Sequence, residues 1–494
     1  MTIEKMLLTD KPAFVSKDIS YTQYQKDRSQ HWDSISDWMV QHKGWGRYYH
    51  KRLASVYRLN ITANSKVLEI GCSQGDLLAS LKPSYGVGID ISEKMIEQAR
   101  SLHPDLHFLL MDAHELDLEA DISFDYIILS DILNDLWDIQ VAFEQVRRYT
   151  TARTRIVINT YSRLWLVPLL IAEKLGLAKP ILYQNWLTID DIVNLLNLSG
   201  FEKIRSWQEI LFPIGIPLLT SLFNKVLVKL SPINELALTN FIIARPKTAP
   251  EPGAAKPSVS IVIPARNEAG NIPYVFENPP CLDCKLEIIF VEGCSKDNTL
   301  QVIQEQIEKH PELQCSLFQQ SGIGKGNAVR EGFEHAQGDI LMILDADLTV
   351  PIFYLDRFYE AIASGKGDFI NGVRLVYPME KQSMKFFNLL GNKFFSLAFS
   401  WVLGQPIKDT LCGTKVLWKS DYERIVKNRA YFGDFDPFGD FDLLLGAAKL
   451  GLKIMDLPIR YRERTYGTTN IQRWKHGGLL LKMTYFAARR LKFI

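Results

Sequence analysis

The chain predicts two doubly wound α/β domains in tandem, and three observations carry that expectation. Short runs of β-forming residues alternate with helix-like spacers, first over KVLEI, GVGIDI, HFLLMD, YIILS and RIVINTY, then over SVSIVIP, LEIIFVEG, CSLFQQ and DILMILDAD. Between the two series, Arg245 to Pro257 (RPKTAPEPGAAKP) has four prolines and no apolar periodicity, so it reads as an extended linker. The length, 494 residues, suffices for two or three domains with cores of their own. The expected division is residues 1–245 with a helical lead-in over 1–45, a linker over 246–257, and residues 258–494.

Composition narrows the partners. A net charge of +1 argues against bulk nucleic-acid binding, and neither a zinc-finger nor a helix-turn-helix signature occurs. Six scattered cysteines suit a reducing compartment, and Cys281 and Cys284 form a lone CxxC without a second pair. The N-terminal MTIEKMLLTDKPAF has too short an apolar core for a signal peptide, and no stretch reaches the roughly 20 apolar residues of a spanning helix. The expected location is therefore cytoplasmic. Two apolar stretches stand out, Leu211 to Leu230 and Phe386 to Leu403, and each suits a core-packing helix, a partner surface or a membrane-surface helix.

In the first half, Val67 to Leu78 (VLEIGCSQGDLL) reads as strand, glycine turn and helix start. A dinucleotide fingerprint needs glycine where Ser73 and Asp76 stand, and Asp76 at a helix N-terminus would repel a pyrophosphate. Glu69, just before the turn, fits a cationic ligand better. The pattern resembles the class I S-adenosylmethionine-dependent methyltransferases, with Glu69, Gly71, Ser73 and Gly75 in the first motif and Ser73 replacing its middle glycine. That resemblance implies a Rossmann-like fold and S-adenosylmethionine as cofactor. It makes Asp90, which ends GVGID, and the following Ile91 the ribose contact, and Asp112 and Ala113 the adenine contact. Ser130, in FDYIILSD (Phe124 to Asp131), falls at the methyl-transfer site, with Asp131 and Asp135 as alternative bases or helix caps.

In the second half, five apolar residues lead into Asp345-Ala346-Asp347. If the strand runs on, both carboxylates point the same way, and a hard divalent cation bound to phosphate oxygens would relieve their repulsion. Upstream, SVSIVIPARNEAGNI (Ser258 to Ile272) and EIIFVEGCSKDNT (Glu287 to Thr299) each end a strand in acidic and small residues. The order resembles glycosyltransferase family 2, especially its dolichyl- and polyprenyl-phosphate sugar transferases. This implies a GT-A fold, a nucleotide-sugar donor, and Mg or Mn. The resemblance makes Pro264, Ala265, Glu268, Glu292 and Asp297 the nucleoside side of the donor site, Glu292 replacing the usual Asp. Lys325, Asp345, Ala346, Asp347 and Arg374 follow as its sugar-diphosphate side, with Asp345 and Asp347 on the metal. Asp409 matches the acceptor-side segment, and Asp409, Asp440 and Asp442 are the candidate catalytic residues. Arg462 and Arg464 resemble a basic loop over a lipid phosphate, although Asn470 stands where that loop often has Lys.

A sugar hydroxyl acceptor needs a base, whereas a phosphate acceptor is already an anion and needs none. The phosphate is the preferred reading. At the C-terminus Lys475, Lys482 and Arg489 recur every seven residues, which suits a helix lying on an anionic bilayer or one packed on its own domain. The whole predicts a bifunctional enzyme, peripheral at the inner face of the membrane. It would glycosylate a lipid-linked acceptor and methylate in glycolipid or polysaccharide assembly. Two other readings are a non-catalytic methyltransferase-like adapter beside a transferase acting on a sugar hydroxyl, and a sugar-nucleotide sensor.

Overall fold

The computed structural model describes residues 19–41, 46–119, 121–176, 178–180, 182, 184–248, 253, 255–374, 376, 386–428, 440–462, 464, 466 and 473–493. Glu463, Gly467, Asn470 and residues 1–18 lie outside them, as do the side chains of Asp440 and Lys475. The chain divides into two compact units, Met1–Lys247 and Thr248–Ile494. Both are doubly wound α/β, as the alternation predicts.

The first unit opens with two helices, α1 (Ile19–Gln41) and α2 (Arg47–Asn60). The parallel series follows: β1 (Lys66–Ile70), α3 (Asp76–Ser80), β2 (Tyr85–Asp90), α4 (Glu93–Leu102), β3 (His107–Leu110), β4 (Tyr126–Ser130), α5 (Ile139–Arg147) and β5 (Arg155–Tyr161). After α6 (Leu166–Lys174) and α7 (Ile189–Leu198), β6 (Phe201–Glu209) and β7 (Thr239–Pro246) complete the sheet, with a short helical turn, α8 (Leu219–Ser221), between them. The strand order is β3-β2-β1-β4-β5-β7-β6, parallel from β3 to β5 and antiparallel at β7 and β6. The order reverses between β1 and β4, which opens a crevice at their carboxyl ends. An apolar layer covers each face, one around Leu68, Ile127 and Ile156, the other around Val67, Ile128 and Val157. Consecutive residues of one strand serve opposite layers, so the central positions of β1, β4 and β5 are mostly apolar on both faces.

Two sequence expectations meet a different outcome here. Arg245 and Pro246 belong to β7, not to a linker: Arg245 is buried and its guanidinium pairs with Glu202 at 2.7 Å. The apolar run Leu211–Leu230 is no single helix. Its prolines, Pro213 and Pro217, leave only α8 and short irregular turns, with Leu218 88% exposed. A buried triad anchors this excursion: Glu209 receives Arg52 at 2.9 Å and also pairs with Lys229.

The second unit runs β8 (Val259–Ala265), α9 (Ile272–Glu277), β9 (Leu286–Glu292), α10 (Thr299–Lys309), β10 (Cys315–Gln319), α11 (Lys325–His335), β11 (Ile340–Ile343), α12 (Leu355–Ala363) and β12 (Phe369–Val373). It continues through α13 (Phe386–Leu403), β13 (Lys415–Trp418), α14 (Lys419–Lys427), α15 (Asp440–Lys449), β14 (Ile454–Pro458) and α16 (Arg473–Leu491). Its strand order is β10-β9-β8-β11-β13-β12-β14, with β13 antiparallel to both neighbours. Here the order reverses between β8 and β11. Helices α13 and α16 bury Phe395, Phe399, Leu480, Met483 and Ala487 in the same core as α11. Their outer surfaces expose Phe394, Leu397, Trp401, Leu481 and Tyr485. Among the described residues no helix is long and apolar enough to cross a membrane.

Gly332 lets α11 lie directly on β8, since a Cβ there would collide with Val262 Cγ1. Gly332→Ala should therefore lower stability by about 1–3 kcal/mol through overpacking, read as a shift of the urea midpoint of the full-length protein.

Candidate functional sites

Parallel pairing brings the first unit's acidic residues to one sheet edge. β1 ends before Gly71, β2 ends at Asp90, β3 leads into Asp112, and β4 ends at Ser130 before Asp131. The glycine turn after β1 takes positive φ at Gly71 (72°), Ser73 (49°) and Gly75 (79°). Ser73 thus holds a left-handed conformation that a serine adopts at a cost, at the position where the resemblance expects glycine. Its N–H donates to Asp90 Oδ2 at 2.9 Å, and Ser92 N–H donates to Asp90 Oδ1 at 3.0 Å. One carboxylate therefore ties the β1 turn to the β2 turn. Ile91 follows it half-buried, and Ala113 is buried beside Asp112.

Glu69 is 2% exposed, and its Oε2 has no hydrogen-bond partner. Burial pushes its carboxyl up to about 8, so at neutral pH the proton stays on. Asp112 behaves oppositely: although it is largely buried, His114 and Gln25 hold it down at about 2. His114 Nε2 accepts from Asp138 N–H at 3.1 Å, which leaves Nδ1–H to donate to Asp112 Oδ1 at 2.6 Å.

Helix α1 lies over this edge, and the sequence reading assigned it no role. Tyr21 and Gln25 donate to Asp112 Oδ2 at 2.9 and 2.7 Å, Tyr24 donates to Asp135 O, and Arg28 pairs with Asp135 at 2.5 Å. These residues recur at spacings of three and four, a helical stripe that would have been a usable signal. Tyr49 on α2 was missed as well. Its hydroxyl donates to Asp131, 2.8 and 2.9 Å from the two oxygens.

In the second unit, the strand expected to reach Asp347 stops at Ile343. Asp345 and Asp347 stand in the turn beyond it, so the turn brings them together, not the two-residue pleat. Thr349 N–H and Oγ1–H donate to Asp347 Oδ1 at 3.2 and 2.8 Å, closing a local turn beyond the strand. Lys325, the first residue of α11, pairs with Asp345 at 2.5 Å. Arg464 pairs with Asp347 at 2.7 Å and reaches Glu268 at 3.3 Å. Burial would raise Asp347, but Arg464 and Thr349 outweigh it and hold the carboxyl below its ordinary range. Ala346, between the two, is buried.

The turns after β8 and β9 are laced together. Gly293 N–H donates to Ala265 O at 2.8 Å, and Glu268 N–H donates to Thr299 Oγ1 at 3.0 Å. Asp297 Oδ1 accepts from Thr299 N–H at 3.1 Å, and Glu292 accepts from Ser295 N–H at 2.6 Å and Cys294 N–H at 3.2 Å. Pro264 and Ala265 pair in register with Val291 and Glu292, so the expected nucleoside residues form one continuous lip.

Arg374 and Asp409 come together in a way the sequence reading did not anticipate. Asp409, 0% exposed, accepts Arg374 Nε at 2.7 Å and Nη2 at 2.9 Å, along with the Arg374 and Leu411 backbone N–H groups. Burial would raise the Asp409 carboxyl, yet Arg374 holds it below the ordinary range. The pair is a buried strut, with Arg374 also stacked 5.1 Å from the Tyr461 ring. Asp442 is half-buried near the start of α15. Arg462 is exposed, its N–H bonded to Thr349 O at 2.9 Å and its guanidinium 5.7 Å from the Phe353 ring.

The donor set at Asp345 and Asp347 fits an oxygen-seeking divalent cation that would keep further positions for phosphate and water. Among the described residues no third His, Cys, Asp or Glu joins them. Gly413 borders the pair, and a Cβ there would occupy the position of Asp345 Oδ2 and Lys325 Nζ, so this space depends on glycine.

Family models match a stretch of each unit. Residues 61–195 match a model described as a methyltransferase domain, and residues 260–425 match glycosyl transferase family 2. The protein joins these two transferase domains in one chain. Glycosyltransferase AglJ of Haloferax volcanii is 27% identical over 238 residues, covering 47% of this chain and 72% of that relative. A dolichyl-phosphate beta-glucosyltransferase of Trichomonas vaginalis is 27% identical over 258 residues, covering 47% of this chain and 74% of its own. Among solved structures, the chain shows a likeness to the N-methyltransferase NodS from Bradyrhizobium japonicum WM9 in complex with S-adenosyl-L-homocysteine. That likeness has 14% identity and a TM-score of 0.31, and covers 46% of this chain and 99% of the other.

Glu69 provides a pH test of the methyltransferase domain. Its folded value, about 8, lies above the ordinary 4.5, so its contribution to stability is full below about pH 4.5 and is lost as pH rises through 8. Glu69→Gln should flatten that part of the stability profile, measured by thermal unfolding between pH 5 and pH 9. An unchanged slope contradicts a buried protonated Glu69.

Proposed function

We propose that the glycosyltransferase domain moves a sugar from a nucleotide-sugar donor to a polyprenyl phosphate at a membrane surface. The observation that carries this reading is the charge cluster at the carboxyl end of β11, where Asp345 and Asp347 meet Lys325 and Arg464. The nucleoside lies along Pro264, Ala265, Glu268, Glu292 and Asp297, and Asp345 and Asp347 hold Mg or Mn. When bound, the metal supplies positive charge that neutralises the departing diphosphate. Lys325 stands beside the same oxygens. Arg462 and Arg464 present the acceptor phosphate, Arg464 turning from Asp347 as the donor binds.

The tie between Asp409 and Arg374 removes one of the candidate bases, which suits a phosphate acceptor. A buried carboxylate held by a guanidinium is a poor proton acceptor, so Asp409 acts by positioning the segment that carries Gly413. A phosphate anion requires no base. The dolichyl-phosphate relative supports the same class of acceptor.

The methyltransferase domain, on this reading, binds S-adenosylmethionine with its cationic end toward Glu69, its ribose at Asp90 and Ile91, and its adenine at Asp112 and Ala113. Ser130 borders the methyl group. Membrane contact falls to the outer surfaces of α13 and α16, whose sequences contain no Asp or Glu and which expose Phe394, Leu397, Leu481 and Tyr485 beside Lys482 and Arg489. The inner face of the membrane is the site this composition suits.

Asp345→Asn and Asp347→Asn should each abolish glycosyl transfer while S-adenosylmethionine binding, read by calorimetry, stays at the wild-type value. Full transfer by either variant, or by wild type in excess chelator, overturns the metal assignment. Gly413→Ala should reduce transfer at least about tenfold, equivalent to roughly 1.4 kcal/mol of barrier. Its unfolding midpoint should stay near wild type, because the added methyl displaces only side-chain ends.

A further inference from the structure

Two carboxylates follow β4, and they have different surroundings. Asp135 is neutralised by Arg28 at 2.5 Å and accepts Gln184 Nε2–H at 3.1 Å. Asp131 makes no ion pair among the described residues. Its partners are neutral donors: the Tyr49 hydroxyl, 2.8 and 2.9 Å from its two oxygens, and Asn159 Nδ2–H, 2.5 Å from Oδ1. Asn159 is itself oriented, because its Oδ1 accepts the Tyr57 hydroxyl at 2.6 Å. Asp131 takes a positive φ of 55°, and the next residue, Ile132, packs where a Cβ on Gly71 would stand, 2.6 Å from its Cδ1. The carboxylate is thus fixed against the glycine turn at the crevice between β1 and β4, and it is not fully covered.

We propose that Asp131 is the general base of methyl transfer, and that the methyl acceptor is a hydroxyl. This rests on the reading of the domain as S-adenosylmethionine-dependent. A carboxylate or phosphate acceptor needs no base, and the unneutralised Asp131 would repel it. An ammonium has no lone pair with which to attack the methyl carbon, and a carboxylate beside it such as Asp131 would favour that protonated form. A hydroxyl oxygen attacks the methyl carbon as its proton passes to Asp131. The carbon–sulfur bond breaks, its electron pair stays on sulfur, and the sulfonium becomes a neutral thioether. The proton then leaves Asp131 for solvent.

Tyr49 is the positioning residue for this base. Burial raises the Asp131 carboxyl to about 6, with Tyr49, Lys179 and Asn159 opposing and Asp135 adding to the rise. Tyr57 and Tyr161, the other titratable groups facing it, stay neutral because burial raises both well above 10. Activity should therefore fall as pH drops through about 6, where the base takes up its proton.

The test uses the full-length protein, methyl-tritiated S-adenosylmethionine, and three probes: octyl β-D-glucoside, octylamine and octyl phosphate. Wild type should methylate the glucoside. Asp131→Asn should lower kcat/KM about 100-fold or more with unchanged S-adenosylmethionine affinity, and Asp135→Asn should lose less. Tyr49→Phe removes a hydrogen bond to the ionised form, so the acid limb of its pH–rate profile should move upward. It retains the carboxylate and tests the role even if Asp131→Asn does not fold. Glucoside methylation within threefold of wild type in Asp131→Asn overturns the proposal. So does an unmoved acid limb in Tyr49→Phe, or a wild type that leaves the glucoside unmethylated. Failure of wild type to bind S-adenosylmethionine instead overturns the cofactor reading beneath it.

Discussion

Both domains are governed by the same constraint, the cost of gathering carboxylates where parallel strands end. A buried charge is expensive unless it is hydrogen-bonded, paired or neutralised. The methyltransferase domain largely avoids ion pairs along this edge. Glu69 keeps its proton, Asp90 accepts two backbone N–H groups, and Asp131 is held by a tyrosine and an asparagine. The glycosyltransferase domain uses cations instead, placing Lys325, Arg464 and Arg374 on Asp345, Asp347 and Asp409. The first arrangement leaves negative potential available to a cationic ligand. The second leaves cations beside the space where a phosphate would lie.

The architecture was legible because buried parallel strands are apolar on both faces at their centres and most end in punctuation that local chemistry requires. Gly71 and Gly75 mark the turn after β1, and both adopt the positive φ that glycine permits. The run leading to Asp345 was over-read. Leu344 is as apolar as its predecessors and fully buried, and nothing in its composition signals that the ladder closes at Ile343. Leu344 N–H still reaches Val262 O, and beyond it Thr349 donates to the Asp347 carboxylate in a local turn.

Long-range pairs were the least visible. Arg374 and Asp409 were both singled out, for separate tasks, because a motif records position along the chain and not the partner across 35 residues. Helix α1 was harder still. Its contacts to Asp112 and Asp135 span about a hundred residues, and its tyrosines, glutamine and arginine match no motif. Their helical spacing is the trace they leave in the sequence. Tyr49 was hidden for the same reason, in a helix with no acidic or glycine landmark.

The ion pairs around Asp345 and Asp347 set a condition on whatever displaces them. Asp345, Asp347 and Glu268 face Lys325 and Arg464, so the cluster carries only a small negative surplus before any ligand arrives. A dication alone would overshoot that surplus and leave net positive charge in a half-buried space. A diphosphate alone would leave surplus negative charge. The two together leave the balance almost unchanged, so the cluster discriminates against each partner singly and admits them as one neutralised unit.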